Sequence, residues 1–485
     1  MQSPRAFTRL LFGVVATLHY GSIAQAQPAA PPPTQYRDAI RLLDYWLEAQ
    51  TAFDRVPAVS AGVVIGQELV WSKGYGFVDE RRTIPAGSDT LYSVCSISKL
   101  FTSIAVMQLW EAGRFSLDDD IGKLLPSARI ERSDPESGPI SIRALLSHSA
   151  GLPRETLTAS WPPTTYSAPS TEQLLSDLSR QATFMRASDH YQYSNLGMVL
   201  LGEMVGAVSA QPYSQFVQER ILIPLKLFDT RPRLPVEMLG TRLPKGYSAL
   251  KRDGNRDPLP PYQANGLTAA AGFTSTVNDL ARFATWQFRL NKKGGSEVLR
   301  VATLRDMQRV QWTDPDGKST WGLGFAVSRE GANTVASHAG RCPGYETALA
   351  LALKDEVAVI SLANAQNGGP YTRQMRQLVL KGLRLPTATA AEGSPDLEVY
   401  AGKYSAQPWR SERVIVPWGK DLALLNLPES DPAGNMAILR HTRADTFKYV
   451  RDDGTLGGEV RFERDSEKRI TGYLDWNYAY QKLDK

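Results

Sequence analysis

Two stretches far apart in the chain each read as a β-hairpin, and this pairing limits the fold more than any other feature. Ala58 to Ile65 and Leu69 to Phe77 are β-rich runs parted by Gly66-Gln67-Glu68. Thr347 to Leu353 and Val357 to Leu362 flank the turn Lys354-Asp355-Glu356 in the same way. Between the hairpins the apolar spacing becomes helical, over Ser96 to Ala112 with Gly113 as the stop, Leu196 to Val208, and Val277 to Leu290. Strands at both ends of a helical region predict one sheet assembled from the two ends. The intervening helices then form a second lobe of an α/β (α+β) domain spanning residues 36–385.

Beyond Leu385 the character changes. Residues 386–396 are rich in Thr, Ala, Gly and Ser and end Glu392-Gly393-Ser394-Pro395, the signature of a linker. From Leu397 to the end the sequence offers only short strands: Arg413–Pro417, Asp421–Leu427, Thr446–Val450, Gly458–Glu463 and Ile470–Trp476. Closely spaced strands parted by turns such as Asp452-Asp453-Gly454 predict a small all-β barrel or sandwich over 397–485.

The 485 residues carry 55 Lys+Arg against 50 Asp+Glu, and 42% are hydrophobic. That balance excludes a disordered or collagen-like chain and a polybasic nucleic-acid binder. Part of the small positive excess sits in the first residues, where Arg5 and Arg9 precede the apolar run Leu10–Leu18 and the small-residue pattern Ala24-Gln25-Ala26. This pattern predicts a signal peptide over 1–26, cut after Ala26. The run is well short of the ~20 residues a spanning helix needs, and the later run Thr347–Leu362 is broken by charge. No transmembrane anchor is therefore expected after cleavage. A Pro/Ala-rich leader, 27–35, precedes the globular part. The expected location is secreted or periplasmic, where disulfides persist.

Three segments could carry chemistry. In Tyr92-Ser93-Val94-Cys95-Ser96-Ile97-Ser98-Lys99, Ser96 and Lys99 are spaced i, i+3 at the start of an apolar helix. Their Cβ atoms are then ~5–6 Å apart on one helix face. Burial of Lys99 would lower its pKa and let it act as a base toward the hydroxyl. The spacing alone is weak, since Ser248 and Lys251 repeat it in a polar stretch. In Tyr191-Gln192-Tyr193-Ser194-Asn195, a phenol and a carboxamide two residues apart can face one cleft, although Asn195 is equally suited to cap the following helix. In Ser337-His338-Ala339-Gly340-Arg341-Cys342, Gly340 would let a ligand backbone lie close to a strand. His338 alone is as readily a structural histidine, as is His148. The histidines after the signal, His148, His190, His338 and His441, show no metal-ligand spacing, so neither a metal nor any other cofactor is expected.

Taken together, Ser96-Ile97-Ser98-Lys99, Tyr193-Ser194-Asn195 and His338-Ala339-Gly340 resemble the ordered S-x-x-K, Y-x-N and K/H-T/S-G motifs of the serine β-lactamase and penicillin-binding-protein superfamily. The tyrosine and the wide motif spacing are similar to the class C β-lactamase, D,D-carboxypeptidase and esterase branch. Leu145–Pro153, Ala271–Thr276 and Trp321–Phe325 look like its framework. The resemblance covers roughly Tyr36 to Leu385 and implies a β-lactamase/D,D-peptidase-like catalytic domain. It implies Ser96 as the acylated nucleophile, Lys99 and Tyr193 as proton carriers, and Asn195, His338 and Gly340 as substrate-binding. The backbone N–H groups of Ser96 and Arg341 would form the oxyanion hole. His338 and Ala339 depart from the lysine and threonine of β-lactamases, and Arg341 is a candidate anchor for a substrate carboxylate.

In the geometry this resemblance implies, His338, Gly340 and Cys342 share one strand face, and Cys342 would meet Cys95. A Cys95–Cys342 disulfide is expected, as occurs at corresponding places in some class A carbapenem-hydrolysing β-lactamases; two separate buried thiols are the alternative. The implied function is a secreted serine hydrolase acting through a Ser96 acyl-enzyme on a small amide or ester, a D-amino-acid peptide among the candidates and cell-wall material a candidate source. The alternatives are a class C-like β-lactamase and a slowly deacylating binder or sensor. The sequence leaves the oligomeric state open.

Overall fold

A computed structural model describes residues 34–158, 161–369, 371–385 and 395–483. The expected signal peptide, most of the leader and most of the linker lie outside them. The expected sheet forms from both ends of the domain. β1 (Ala58–Ile65) and β2 (Glu68–Gly76) make the first hairpin. β3 (Trp312–Thr313), β4 (Thr320–Trp321), β5 (Ala326–Glu330) and β6 (Asn333–Cys342) lead into β7 (Tyr345–Ala352) and β8 (Val357–Ala363). The order is β2-β1-β8-β7-β6-β5-β4-β3, with neighbours antiparallel. β1 joins β8 in register from Val59↔Ala363 to Ile65↔Val357, stitching the two ends of the domain together. β7 and β8 are buried throughout, as their continuous apolar runs require of strands covered on both faces.

One face carries the helical lobe. A 3₁₀ turn, Cys95–Ile97, opens α2 (Ser98–Glu111), and the lobe also includes α3 (Asn195–Ser209) and α4 (Val277–Lys293). α2 is apolar nearly all round and buried, as an interior helix must be. It ends at Ala112, where Gly113 takes φ +69°. The opposite face is covered by α1 (Thr34–Phe53) and α5 (Thr372–Leu383). Neither helix was anticipated, and α1 begins inside what reads as the leader. Its buried Ala39, Ile40, Leu43, Trp46 and Leu47 recur at helical spacing.

The C-terminal region is a closed eight-stranded antiparallel barrel. Its strands are β9 (Gly402–Ser405), β10 (Glu412–Trp418), β11 (Asp421–Leu427), β12 (Ala437–Arg443), β13 (Thr446–Val450), β14 (Leu456–Arg464), β15 (Ile470–Asp475) and β16 (Tyr478–Lys482). The barrel is not merely tethered. Val414, Val416, Ala423 and Leu425 on its outer wall share one apolar core with Leu43, Trp46, Met375 and Val379 of α1 and α5. Trp46 Nε1 also donates to the Glu429 carbonyl at 2.7 Å. Fully burying side chains of this size is worth about 1.5–3 kcal/mol each, so α1, α5 and barrel stabilise one another. Among the described residues, no helix is long and apolar enough to cross a membrane.

Candidate active site

The three sequence motifs meet where the start of α2, the start of α3 and the end of β6 converge. Ser96 lies in the 3₁₀ turn before α2, following Cys95 at φ +48°. The Ile97 N–H is bonded to the Val94 carbonyl at 3.1 Å, which closes the turn that carries Ser96. Ser96 is 8% exposed and Lys99 is fully buried. Lys99 Nζ lies 3.1 Å from Ser96 Oγ, 2.7 Å from Asn195 Oδ1 and 2.7 Å from the Ala270 carbonyl oxygen. Burial holds the Lys99 ammonium well below the ordinary lysine range, with the nearby Arg154 adding to the effect and Glu155 opposing it.

The competing role for Asn195 as a helix cap is taken by its neighbour. Ser194 is the N-cap of α3, its hydroxyl accepting from Gly197 N at 2.9 Å. The Asn195 carboxamide is thereby released into the site, where it accepts from Lys99 and donates to Glu155 Oε1. Tyr193 shares a hydrogen bond with Ser96, and burial pushes its phenol up to about 12. Lys99 Nζ and the Arg154 guanidinium each lie 4.9 Å from its ring centroid. His148 packs on that ring with centroids 4.4 Å apart, while its Nδ1 accepts from Ser194 N at 3.3 Å. Trp321 closes the aromatic wall, 4.8 Å from His148 and 5.7 Å from His338.

On β6, His338, Gly340 and Cys342 face α2, as the strand parity requires. Cys342 is bonded to Cys95 across a Cα separation of 5.6 Å. Closing a loop of 247 residues stabilises by about 5 kcal/mol in the chain-entropy description. Without reductant neither cysteine should be alkylated, and the Cys95→Ala/Cys342→Ala protein should unfold at markedly lower urea concentration. Equal midpoints would show that the bridge adds nothing.

Gly340 is glycine for a reason other than ligand approach. A Cβ there would come within 2.2 Å of the Val94 carbonyl oxygen, so the close neighbour is the chain itself. Arg341 also requires correction. Its side chain lies on the face opposite α2, where its Nε donates to Glu346 Oε1 at 3.0 Å, so it is not free to anchor a carboxylate in the cleft. What Arg341 offers is its backbone. β6 and β7 join through a two-residue turn, Pro343-Gly344, with Gly344 at φ +83° and Cys342↔Tyr345 as the closing pair. Counting the antiparallel alternation back from that pair, the N–H groups of Arg341 and Ala339 turn away from β7. They face the edge left free because the β5 pairing ends at Ser337.

His338 is 3% exposed. Burial, reinforced by Lys99, lowers its pKa to about 3. Its Nδ1 donates to the Ala339 carbonyl at 2.7 Å, since a carbonyl can only accept, which leaves Nε2 as an acceptor that has no partner. Burial likewise drives His148 well below the ordinary histidine range. Unfolded histidines bind a proton below about pH 6.5 whereas these remain neutral, so the unfolded state gains protons first and stability falls as pH falls. For His338 the loss reaches about 2–3 kcal/mol by pH 4.5. Urea unfolding of wild type and His338→Gln at pH 7 and 4.5 should show a smaller acid loss in the variant. Parallel losses would contradict the neutral assignment.

Sequence reasoning missed Glu155 and the Ala270 carbonyl. Glu155 Oε1 accepts from Asn195 and from Trp161 Nε1 at 2.8 Å, while Oε2 is buried without a partner. It follows the framework segment Leu145–Pro153 by two residues, but nothing in the sequence separates it from an ordinary surface glutamate. Beside this cluster a cavity of about 150 Å³ is lined by Ser93, Leu234, Tyr262, Ala264, Thr268 and Gly272. Among the described residues, no group of three or more His, Cys, Asp or Glu is placed to hold a metal ion.

A family model described as Beta-lactamase matches residues 43–437. The chain is 28% identical over 327 residues to Beta-lactamase-like protein 2 of Dictyostelium discoideum, a match that covers 66% of this chain and 58% of that protein. Among solved structures, the fold is similar to an octameric penicillin-binding protein homologue from Pyrococcus abyssi, with TM-score 0.61, 21% identity, and 92% of this chain and 100% of that one covered. It is also similar to D-amino acid amidase from Ochrobactrum anthropi SV3, with TM-score 0.59, 21% identity, and 72% and 99% covered.

Proposed function

The chain belongs to the Beta-lactamase family, and on that premise we propose that it is a serine hydrolase working through a Ser96 acyl-enzyme on a small amide or ester. One observation carries this reading. Two of the three contacts of Lys99 Nζ are carbonyl oxygens, Asn195 Oδ1 and Ala270 O, which can only accept. A neutral amine gives both its hydrogens to them, and its lone pair is then directed at the third contact, the Ser96 hydroxyl at 3.1 Å. Burial lowers the Lys99 pKa and so favours that neutral amine.

The steps follow from this arrangement. Lys99 takes the hydroxyl proton as Ser96 Oγ attacks the substrate carbonyl carbon, and the carbonyl oxygen becomes an oxyanion held by the N–H groups of Ser96 and Arg341. Tyr193, a neutral phenol whose pKa is raised to about 12, gives its proton to the leaving amine or alkoxide. The proton held by Lys99 restores the phenol. Water then attacks the ester carbon of the acyl-enzyme, and the same groups return Ser96 to its hydroxyl form. Opposite shifts of two neighbouring groups support Lys99 as the base and Tyr193 as the acid.

The favoured substrate carries an unblocked amine near the scissile carbonyl, as in an amino-acid amide or a D-amino-acid peptide. Glu155 has a carboxylate oxygen without a donor, His338 presents an acceptor rather than a charge, and the Arg341 guanidinium is engaged by Glu346. The likeness in fold to a D-amino acid amidase supports the same class. A second reading, a β-lactamase, is favoured by Arg154. Its guanidinium, with Nε 3.6 Å from Glu155 Oε1, is 59% exposed over the Tyr193 ring and could exchange that partner for a substrate carboxylate. D-Phenylalanine amide and benzylpenicillin separate the two readings. Glu155→Gln should lower kcat/KM for the amide by about tenfold or more while sparing an uncharged ester, since a charged hydrogen bond is worth about 1.5–3 kcal/mol. If penicillin is turned over faster than the amide, and Arg154→Ala rather than Glu155→Gln removes that turnover, the β-lactamase reading holds instead.

Export with cleavage after Ala26 belongs to the same proposal, supported by the N-terminal pattern and by the Cys95–Cys342 bridge.

A further inference from the structure

The C-terminal barrel is packed unevenly along its axis. Tyr400, Phe447 and Phe462 pack together away from the mouth, and Tyr404 and Tyr473 pack on them, the Tyr473 hydroxyl accepting from Arg413 Nη1 at 3.5 Å. The mouth, beneath the β9–β10 loop and the β15–β16 turn, carries a polar layer. There Arg413 Nη1 donates to Asp475 Oδ2 at 2.6 Å, Tyr449 OH to the same oxygen at 2.9 Å, and Arg413 Nε to Asn426 Oδ1 at 2.9 Å. Asp475 is 5% exposed, and its Oδ1 has no partner among the described residues. A buried polar atom left unpaired costs free energy that a donor from outside would recover.

The rim above this layer is aromatic. Trp409 and Trp476 are each 79% exposed. Trp476 occupies the β15–β16 turn at φ +56°, a region bulky side chains rarely adopt. Its indole lies over the inward face of β14, where a Cβ on Gly458 would meet Trp476 Cζ2 at 3.4 Å. Next to Trp409, the Arg410 guanidinium stacks 4.2 Å from the Tyr478 ring centroid, pairing the two loops.

From this arrangement we infer that the mouth of the barrel binds a neutral saccharide, at a site separate from the Ser96 cleft. Arg413 and Asp475 neutralise one another, so the layer offers no net charge to an ion. What remains is one acceptor, Asp475 Oδ1, beneath exposed indole faces. A sugar ring supplies both complements, a C–H face for the indole and hydroxyl donors for the carboxylate. The inference is independent of the reaction proposed for Ser96.

The test is calorimetric titration of the full chain with chitotetraose and with cellotetraose, beside Trp476→Ala and Trp409→Ala. Both substitutions are at exposed side chains outside the hydrolytic site, and ester hydrolysis reports that each variant is folded. The wild type should bind at least one of the two sugars, and Trp476→Ala should weaken that binding about tenfold or more. Absence of binding to both sugars, or undiminished binding by Trp476→Ala, overturns the assignment. A concentration-dependent dimer that is lost in the tryptophan variants would give the patch to a second copy of the chain and would overturn it too.

Discussion

Replacing Ser96 with alanine is expected to reduce hydrolysis of an activated ester such as p-nitrophenyl acetate by about 10⁴-fold or more, the scale on which loss of a nucleophile acts. The fold should survive. Ser96 is the middle residue of a short turn, and removing its hydroxyl leaves Lys99 bonded to Asn195 and Ala270. Urea unfolding of the variant should therefore lie within about 1–2 kcal/mol of wild type, the cost of one lost hydrogen bond to Lys99 Nζ. Substantial ester turnover by Ser96→Ala would move the chemistry to another residue.

The second large effect belongs to Lys99. Lys99→Met fills much the same volume without an amine and should lower kcat by about 10³-fold, the range of a positioned general base. The pH profile carries the sharper reading. Since Lys99 works as the neutral amine, activity in wild type falls as pH drops through its lowered pKa, far below where an ordinary lysine would protonate. Residual activity in Lys99→Met should lack that limb. A variant that keeps the limb would place the titrating base elsewhere.

The parts legible in the sequence were those whose signal is local. β1, β2, β7 and β8 are β-rich runs closed by turns, and α2, α3 and α4 repeat at helical spacing, so their ends fall within a few residues of expectation. The three motifs also stood out by order and residue type, and the structure brings Ser96, Lys99, Tyr193, Asn195 and His338 into one cleft. Less legible were features that depend on partners. α1 follows a proline run and packs against strands more than three hundred residues later, so the composition upstream hid its periodicity. β12 is three apolar residues, Ala437 to Leu439, followed by four polar ones, Arg440 to Arg443, with no alternation, so its strand character comes from its neighbours. The direction of the Arg341 side chain depends on the face from which Glu346 reaches it. Ala270 contributes only a backbone oxygen, which no side-chain pattern announces.

The account rests on a covalent intermediate at Ser96, and time-resolved intact mass tests it most directly. The mature protein is mixed in turn with p-nitrophenyl acetate, an activated ester of D-phenylalanine and benzylpenicillin, and quenched in acid. At least one reagent should add the mass of its acyl group, on the peptide that contains Ser96 and not in Ser96→Ala. The lifetime of each adduct then ranks the acyl groups the cleft accepts. Turnover with no adduct under single-turnover conditions, or an adduct that persists in Ser96→Ala, would contradict the account.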